Sequence, residues 1–146
     1  MIAEFSRELG RELAAETIPL GTARVTVDGF HRDDRSITLV EVWAHIGKAK
    51  AAQRNKVLSD MLKLVLVSSV LRRSYPTLNV ESYLVFADVN ACRVVTGKGW
   101  ASLAAEEFGV ESKIITLSPE VMKAIRDAQR KQDIRFDCDE SDTTTV

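Results

Sequence analysis

The sequence predicts an α/β domain, and three observations carry that prediction. Apolar residues first recur at helical spacing through Ile2, Phe5, Leu9 and Leu13. Two short apolar runs, residues 22–28 and 37–45, then flank a polar, glycine-containing turn, the pattern of a hairpin. A long helical stretch from about Ala49 to Arg73 finally leads into a buried strand, Glu81 to Ala87. With 146 residues, 45% of them apolar and 28% charged, the chain is expected to form one domain over residues 1–135. Residues 136–146 read as an acidic, Thr-rich, disordered tail.

The first helix is expected over residues 2–16, with its apolar stripe centred near Leu9 and Glu12 and Glu16 at the margin. Ile18-Pro19-Leu20-Gly21 breaks it and supplies a short edge strand. The next strand ends at Val27-Asp28, and the turn Gly29 to Ser36 leads into the second strand of the hairpin. There Ile37, Leu39, Glu41, Trp43 and His45 share one face, and Thr38, Val40, Val42 and Ala44 the other. Glu41 is thus an acid in an apolar row, which is costly unless it meets a cation or a donor.

On the long helix, Val57, Leu64 and Leu71 share the side of Gln53, with Lys56 and Asp60 close by, whereas Leu58, Leu62 and Leu66 lie opposite. Two apolar sides predict burial between the sheet and another helix, or between the sheet and a second subunit, and a homodimer or partner subunit docked through this helix is expected. Beyond the strand ending at Asp88 comes a variable loop over Asn90 to Lys98, with a short strand at Cys92 to Val95. A helix over 100–108 stops at Gly109. Lys113 to Leu117 forms a strand, and Ser118-Pro119 starts a last helix running to about Lys131, with serine as N-cap and proline at the first helical position.

A net charge of −1 provides no global field for DNA or membranes, although Lys48, Lys50, Arg54 and Lys56 make a local basic strip. The apolar run Leu62 to Leu71 is too short to span a bilayer and contains Lys63, so no membrane partner is expected. Two cysteines without C-x-x-C spacing argue for a reducing compartment and against zinc. The acidic N-terminus, with Glu4, Glu8 and Glu12, lacks an apolar signal core, and a cytoplasmic location is expected.

Val27-Asp28, Glu41-Val42-Trp43 and the helix start Gln53 to Lys56, set in the order helix, strand, strand, long helix, strand, resemble the PD-(D/E)xK nuclease superfamily over residues 2–88. The resemblance implies a restriction-endonuclease-like core with extra C-terminal helices. It also implies metal-dependent cleavage of nucleic acid, with Asp28 and Glu41 holding Mg²⁺ or Mn²⁺. Hard carboxylate oxygens suit these ions, and the bound ion acidifies water. Trp43 stands where the superfamily carries its catalytic lysine, and an indole offers only one N–H donor. Lys56, one helical turn after Gln53, is the candidate for a relocated lysine, with Lys48, Lys50 and His45 as alternatives. Gln53 would orient the nucleophile, and Glu12 is placed as an extra carboxylate near the metal. The alternative is an inactive nuclease-fold binding or assembly subunit in which Trp43 marks lost catalysis. Plainer roles stand beside these: Asp28 as a turn residue, Glu41 paired with Lys56, Lys56 paired with Asp60 at i, i+4, and Gly97-Lys98-Gly99 as a simple turn.

Overall fold

The computed structural model describes residues 1–140, with side chains as far as Lys131. The N-terminal helix α1 (Ile2–Leu9) is followed by three strands, β1 (Ala14–Leu20), β2 (Ala23–Arg32) and β3 (Ser36–Trp43). The long helix α2 (Ala51–Ser74) crosses to β4 (Asn79–Phe86), and two short helices, α3 (Val89–Thr96) and α4 (Trp100–Glu107), cross to β5 (Val110–Ile114). The last helix, α5, spans Pro119–Glu140. The five strands form one mixed sheet in chain order, antiparallel through β1, β2 and β3 and parallel through β3, β4 and β5.

Helices cover both faces of this sheet. Ile37, Leu39, Leu84 and Phe86 pack on one side against Val57, Leu64 and Val67 of α2, together with residues of α3 and α4. Val40, Tyr83 and Val85 pack on the other side against Phe5 of α1, with Met122 and Ile125 of α5 at the margin. The alternation expected along β3 is therefore realised, because a strand sends successive side chains to opposite faces.

Several boundaries differ from expectation for identifiable reasons. The first helix ends at Leu9 rather than at residue 16. Gly10 takes the left-handed conformation (φ 64°), its N–H bonds to Arg7 O, and the Arg11 N–H bonds to Ser6 O, which closes a Schellman motif. Residues 14–20 instead become the edge strand β1. The turn of the β2–β3 hairpin is short, because Asp33 Oδ1 accepts from the N–H groups of Arg35 (2.8 Å) and Ser36 (2.7 Å) and folds the chain back at once. Gly29 lies inside β2, where an added Cβ would meet Ile2 Cδ1 at 3.0 Å and Val40 Cβ at 3.1 Å. Residues 89–96 are helical, with Asp88 as N-cap accepting from Asn90 N at 2.6 Å. The strand expected over 113–117 is shifted to Val110–Ile114. Ser118 caps α5 as expected, accepting from Val121 N at 3.4 Å. That helix continues to Glu140, and positions 141–146 of the expected tail lie outside the described residues.

The homodimer or partner subunit expected through α2 is overturned. Its buried apolar residues, Val57, Met61, Leu64, Val67 and Leu71, all serve the intramolecular core, and Leu58 and Val65 pack at the edge of that same core. Of the large apolar residues of α2 only Leu62 and Leu66 stand exposed, so the helix offers no apolar face along its length for a second helix. Among the described residues no helix is long and apolar enough to cross a membrane.

Candidate functional site

The parallel strands β3, β4 and β5 point their carboxyl ends to one edge of the sheet, the edge where open α/β sheets bind ligands. Glu41 and Trp43 lie near that end of β3, on its α2 side, and His45 lies just beyond it.

Glu41 is 3% exposed, and Lys63 Nζ of α2 lies 2.7 Å from its Oε1. The contact is an ion pair by distance, and among the described residues Oε1 has no other polar partner. Burial is the main cause that pushes the Glu41 carboxyl up from 4.5 to about 7. Lys63 pulls it down, and the charges of Asp28 and Asp60 push it further up. Three carboxylates and one lysine thus share a field.

Asp28 reaches this field because β2 is bulged. Ala14 pairs with Phe30 and Glu16 with Val27, so one residue of β1 faces both Asp28 and Gly29. The β2–β3 ladder stops at Gly29 opposite Val40, and Asp28 Oδ2 then accepts the Val42 N–H at 2.9 Å. Asp28 is therefore a strand residue rather than a turn residue, and it binds through one oxygen only. Asp28→Ala is expected to cost about 1–3 kcal/mol by stranding that N–H, whereas Asp28→Asn, which keeps the acceptor, should unfold in urea within about 0.5 kcal/mol of wild type.

Lys56 pairs with Asp60, four residues on, and its side chain is 58% exposed. The cation that reaches Glu41 is Lys63, which also lies 3.8 Å from Asp60 Oδ1. Lys56, Asp60 and Lys63 follow at i, i+4 and i+7, one helical stripe, and continue to Glu41 as a row of alternating charge.

Gln53 accepts the Lys50 N–H through Oε1 at 2.7 Å and presents Nε2 to His45 Nδ1 at 3.4 Å. Gln129 of α5 accepts the Ile46 N–H at 3.1 Å, and its Nε2 lies 2.9 Å from the same Nδ1. Both amides are oriented by the backbone N–H they accept, so both direct N–H donors at Nδ1. His45 Nδ1 is then the acceptor, and the ring hydrogen sits on Nε2. The His45 ring centroid is 5.9 Å from that of Trp43. Trp43 is half-buried against the α2 side of the core, and its buried Nε1 has no acceptor among the described residues. His45, Trp43, Gln53, Lys56, Asp60 and Gln129 line a cleft of about 330 Å³.

Glu12 does not join the two acids. With α1 ended at Gly10, Glu12 lies exposed in the α1–β1 connection, its carbonyl oxygen 3.0 Å from His31 Nδ1, and its neighbour Leu13 belongs to the core on the α1 side. Among the described residues no group of three or more His, Cys, Asp or Glu is placed to hold a metal. Asp28 and Glu41 still suit Mg²⁺, which is commonly held by one or two carboxylates with water completing its shell. One oxygen of Asp28 makes no hydrogen bond to a described residue, and Glu41 Oε1 has only the Lys63 ammonium beside it among the described residues.

Two residues of this site escaped the sequence reading. Lys63 sits within an apolar run, where its charge speaks first against membrane insertion, although its spacing from Lys56 and Asp60 places it on their stripe. Gln129 carries no local signal, because its partners lie more than eighty residues away. No protein-family model matches the chain, and no curated protein matches it.

Proposed function

We propose that the chain is a metal-dependent nucleic-acid phosphodiesterase, a variant PD-(D/E)xK protein on a restriction-endonuclease-like core. The carrying observation is that Asp28 and Glu41 come from neighbouring strands into one field while a lysine from α2 stands 2.7 Å from Glu41. The element order of helix, three antiparallel strands, long helix and parallel strand supports the reading. Asp28 and Glu41 would hold Mg²⁺ or Mn²⁺, which when bound supplies Lewis acidity and a more acidic water. Lys63 brings to Glu41 the positive charge that Trp43 cannot, and Lys56 stays near the cleft mouth, held by Asp60. Gln53 and Gln129 fix the His45 ring so that Nε2 is left as an N–H donor for an anionic oxygen.

Calorimetry with Mn²⁺ tests this. Binding should be lost in Asp28→Asn, which keeps the fold, and in Glu41→Gln. Affinity should rise roughly tenfold per pH unit below pH 7 and level off above it, because the ion displaces the Glu41 proton. Cleavage of single-stranded, duplex or branched DNA should follow the same variants. Absent Mn²⁺ binding removes the catalytic reading. It would favour the second, an inactive nuclease-fold binding or assembly subunit, in which the buried Lys63–Glu41 pair serves the fold alone.

A further inference from the structure

On the other side of the first turns of α2, away from Gln53, Lys56 and Asp60, a groove runs between α2 and the α3–α4 pair. Two adjoining lobes of about 270 and 470 Å³ share Arg54 and Arg93, and carry Lys48 at one end and Lys98 at the other. A third lobe of about 360 Å³ adjoins the second through Leu58 and Trp100 and is lined by apolar groups including Phe108. Among the described residues none of the three lobes is lined by an aspartate or glutamate, in a chain that has 21 acids against 20 bases. Among the described residues Lys48, Arg54, Arg93 and Lys98 have no acidic partner, although Lys56, Lys63 and Arg11 all do. Trp100 is 68% exposed, and Phe108 is also exposed.

An acid-free cationic track that opens onto exposed aromatic rings matches a polymer with an anionic backbone and flat apolar side groups. We propose that this groove binds a single strand of nucleic acid, its phosphates along Lys48, Arg54, Arg93 and Lys98 and its bases stacked on Trp100 and Phe108. A duplex fits less well, since its bases are already stacked and cannot offer their faces to the rings. An acidic peptide would satisfy the cations but leave the aromatic lobe unused. The inference goes beyond the catalytic reading and holds whether or not Asp28 and Glu41 bind a metal, because the groove lies on the opposite side of α2.

The test is tryptophan fluorescence of the full chain in EDTA, titrated with an oligothymidylate of about ten nucleotides, a length within the usual range for such grooves. Emission should be quenched, and the quenching should vanish in Trp100→Phe, which leaves Trp43 as the only indole. An abasic oligomer of equal length should bind at least tenfold more weakly. The plot of log affinity against log salt should flatten by about 1.4 in Arg54→Gln/Arg93→Gln, from two lost phosphate contacts at roughly 0.7 each. Both arginines are exposed and unpaired among the described residues, so this variant should keep the wild-type circular dichroism. Equal binding of the abasic oligomer, of a duplex or of polyglutamate would overturn the proposal, as would quenching that survives Trp100→Phe. Because EDTA removes divalent ions, failure here is separate from failure of the Mn²⁺ experiment.

Discussion

Lys63→Met is expected to destabilise the fold by about 3 kcal/mol at pH 8, the lower end of what orphaning one half of a buried ion pair costs. The lower end applies because Lys63 retains 27% exposure whereas Glu41 retains 3%. Without the ammonium, Glu41 faces Asp28 and Asp60 in a site that water hardly reaches, and it must either stay charged without a counter-ion or take up a proton. Urea unfolding measures the loss. At a slope near 2 kcal/mol per molar, the midpoint should fall by about 1.5 M. Most of it should return in Lys63→Met/Glu41→Gln, since the two residues act as a unit. A single variant within about 0.5 kcal/mol of wild type would show that the pair is solvated.

Glu41→Gln should act in the opposite direction, and only at high pH. The folded carboxyl titrates near 7 and the unfolded one near 4.5, so the folded chain holds this proton more tightly. The stability tied to it is fully present below 4.5 and is lost as pH rises to 7, on the order of 3 kcal/mol in all. Glutamine has nearly the same shape and does not titrate. The variant should therefore match wild type at pH 4.5 and exceed it at pH 8, by up to that amount. Unfolding curves at the two pH values decide this. A variant less stable than wild type at pH 8 would mean that Lys63 more than compensates for burial. An acid kept in the core at a stability cost is what a functional group looks like, since proteins tolerate strain where chemistry needs it.

The physical reasons for agreement and disagreement with the sequence are local. The faces of β3 were legible because successive strand side chains point to opposite faces, so Glu41 follows Ile37 and Leu39 onto the α2 side although both faces are buried. Ser118-Pro119 was legible because cap and first-turn preferences need no distant partner. Residues 14–16, in contrast, are Ala-Ala-Glu, good helix formers in phase with Leu9 and Leu13, and β1 forms only because β2 offers a ladder. Gly29 looks like a turn glycine, yet it serves the close approach of Ile2 and Val40, which no local pattern announces. Residues 92–95 carry two valines in a row and look extended, until Asp88 caps a helix that buries Ala91, Cys92 and Val95. In the site, the acids were legible as unusual placements, whereas the choice of Lys63 over Lys56 depends on how far along α2 the sheet edge falls.

The bonds of Gln129 give α5 a further property. Its amide is the described acceptor for the Ile46 N–H and the nearer of two donors to His45, so it staples the helix across one wall of the cleft. Peeling α5 away would release the imidazole from one of its two guides and hydrate the Ile46 amide without disturbing a single strand pair. The cleft thus has a built-in local unfolding equilibrium, set by how readily one helix detaches and separate from the global stability of the sheet. Amide exchange at Ile46 reads that equilibrium directly, as a clock for how often the wall stands open.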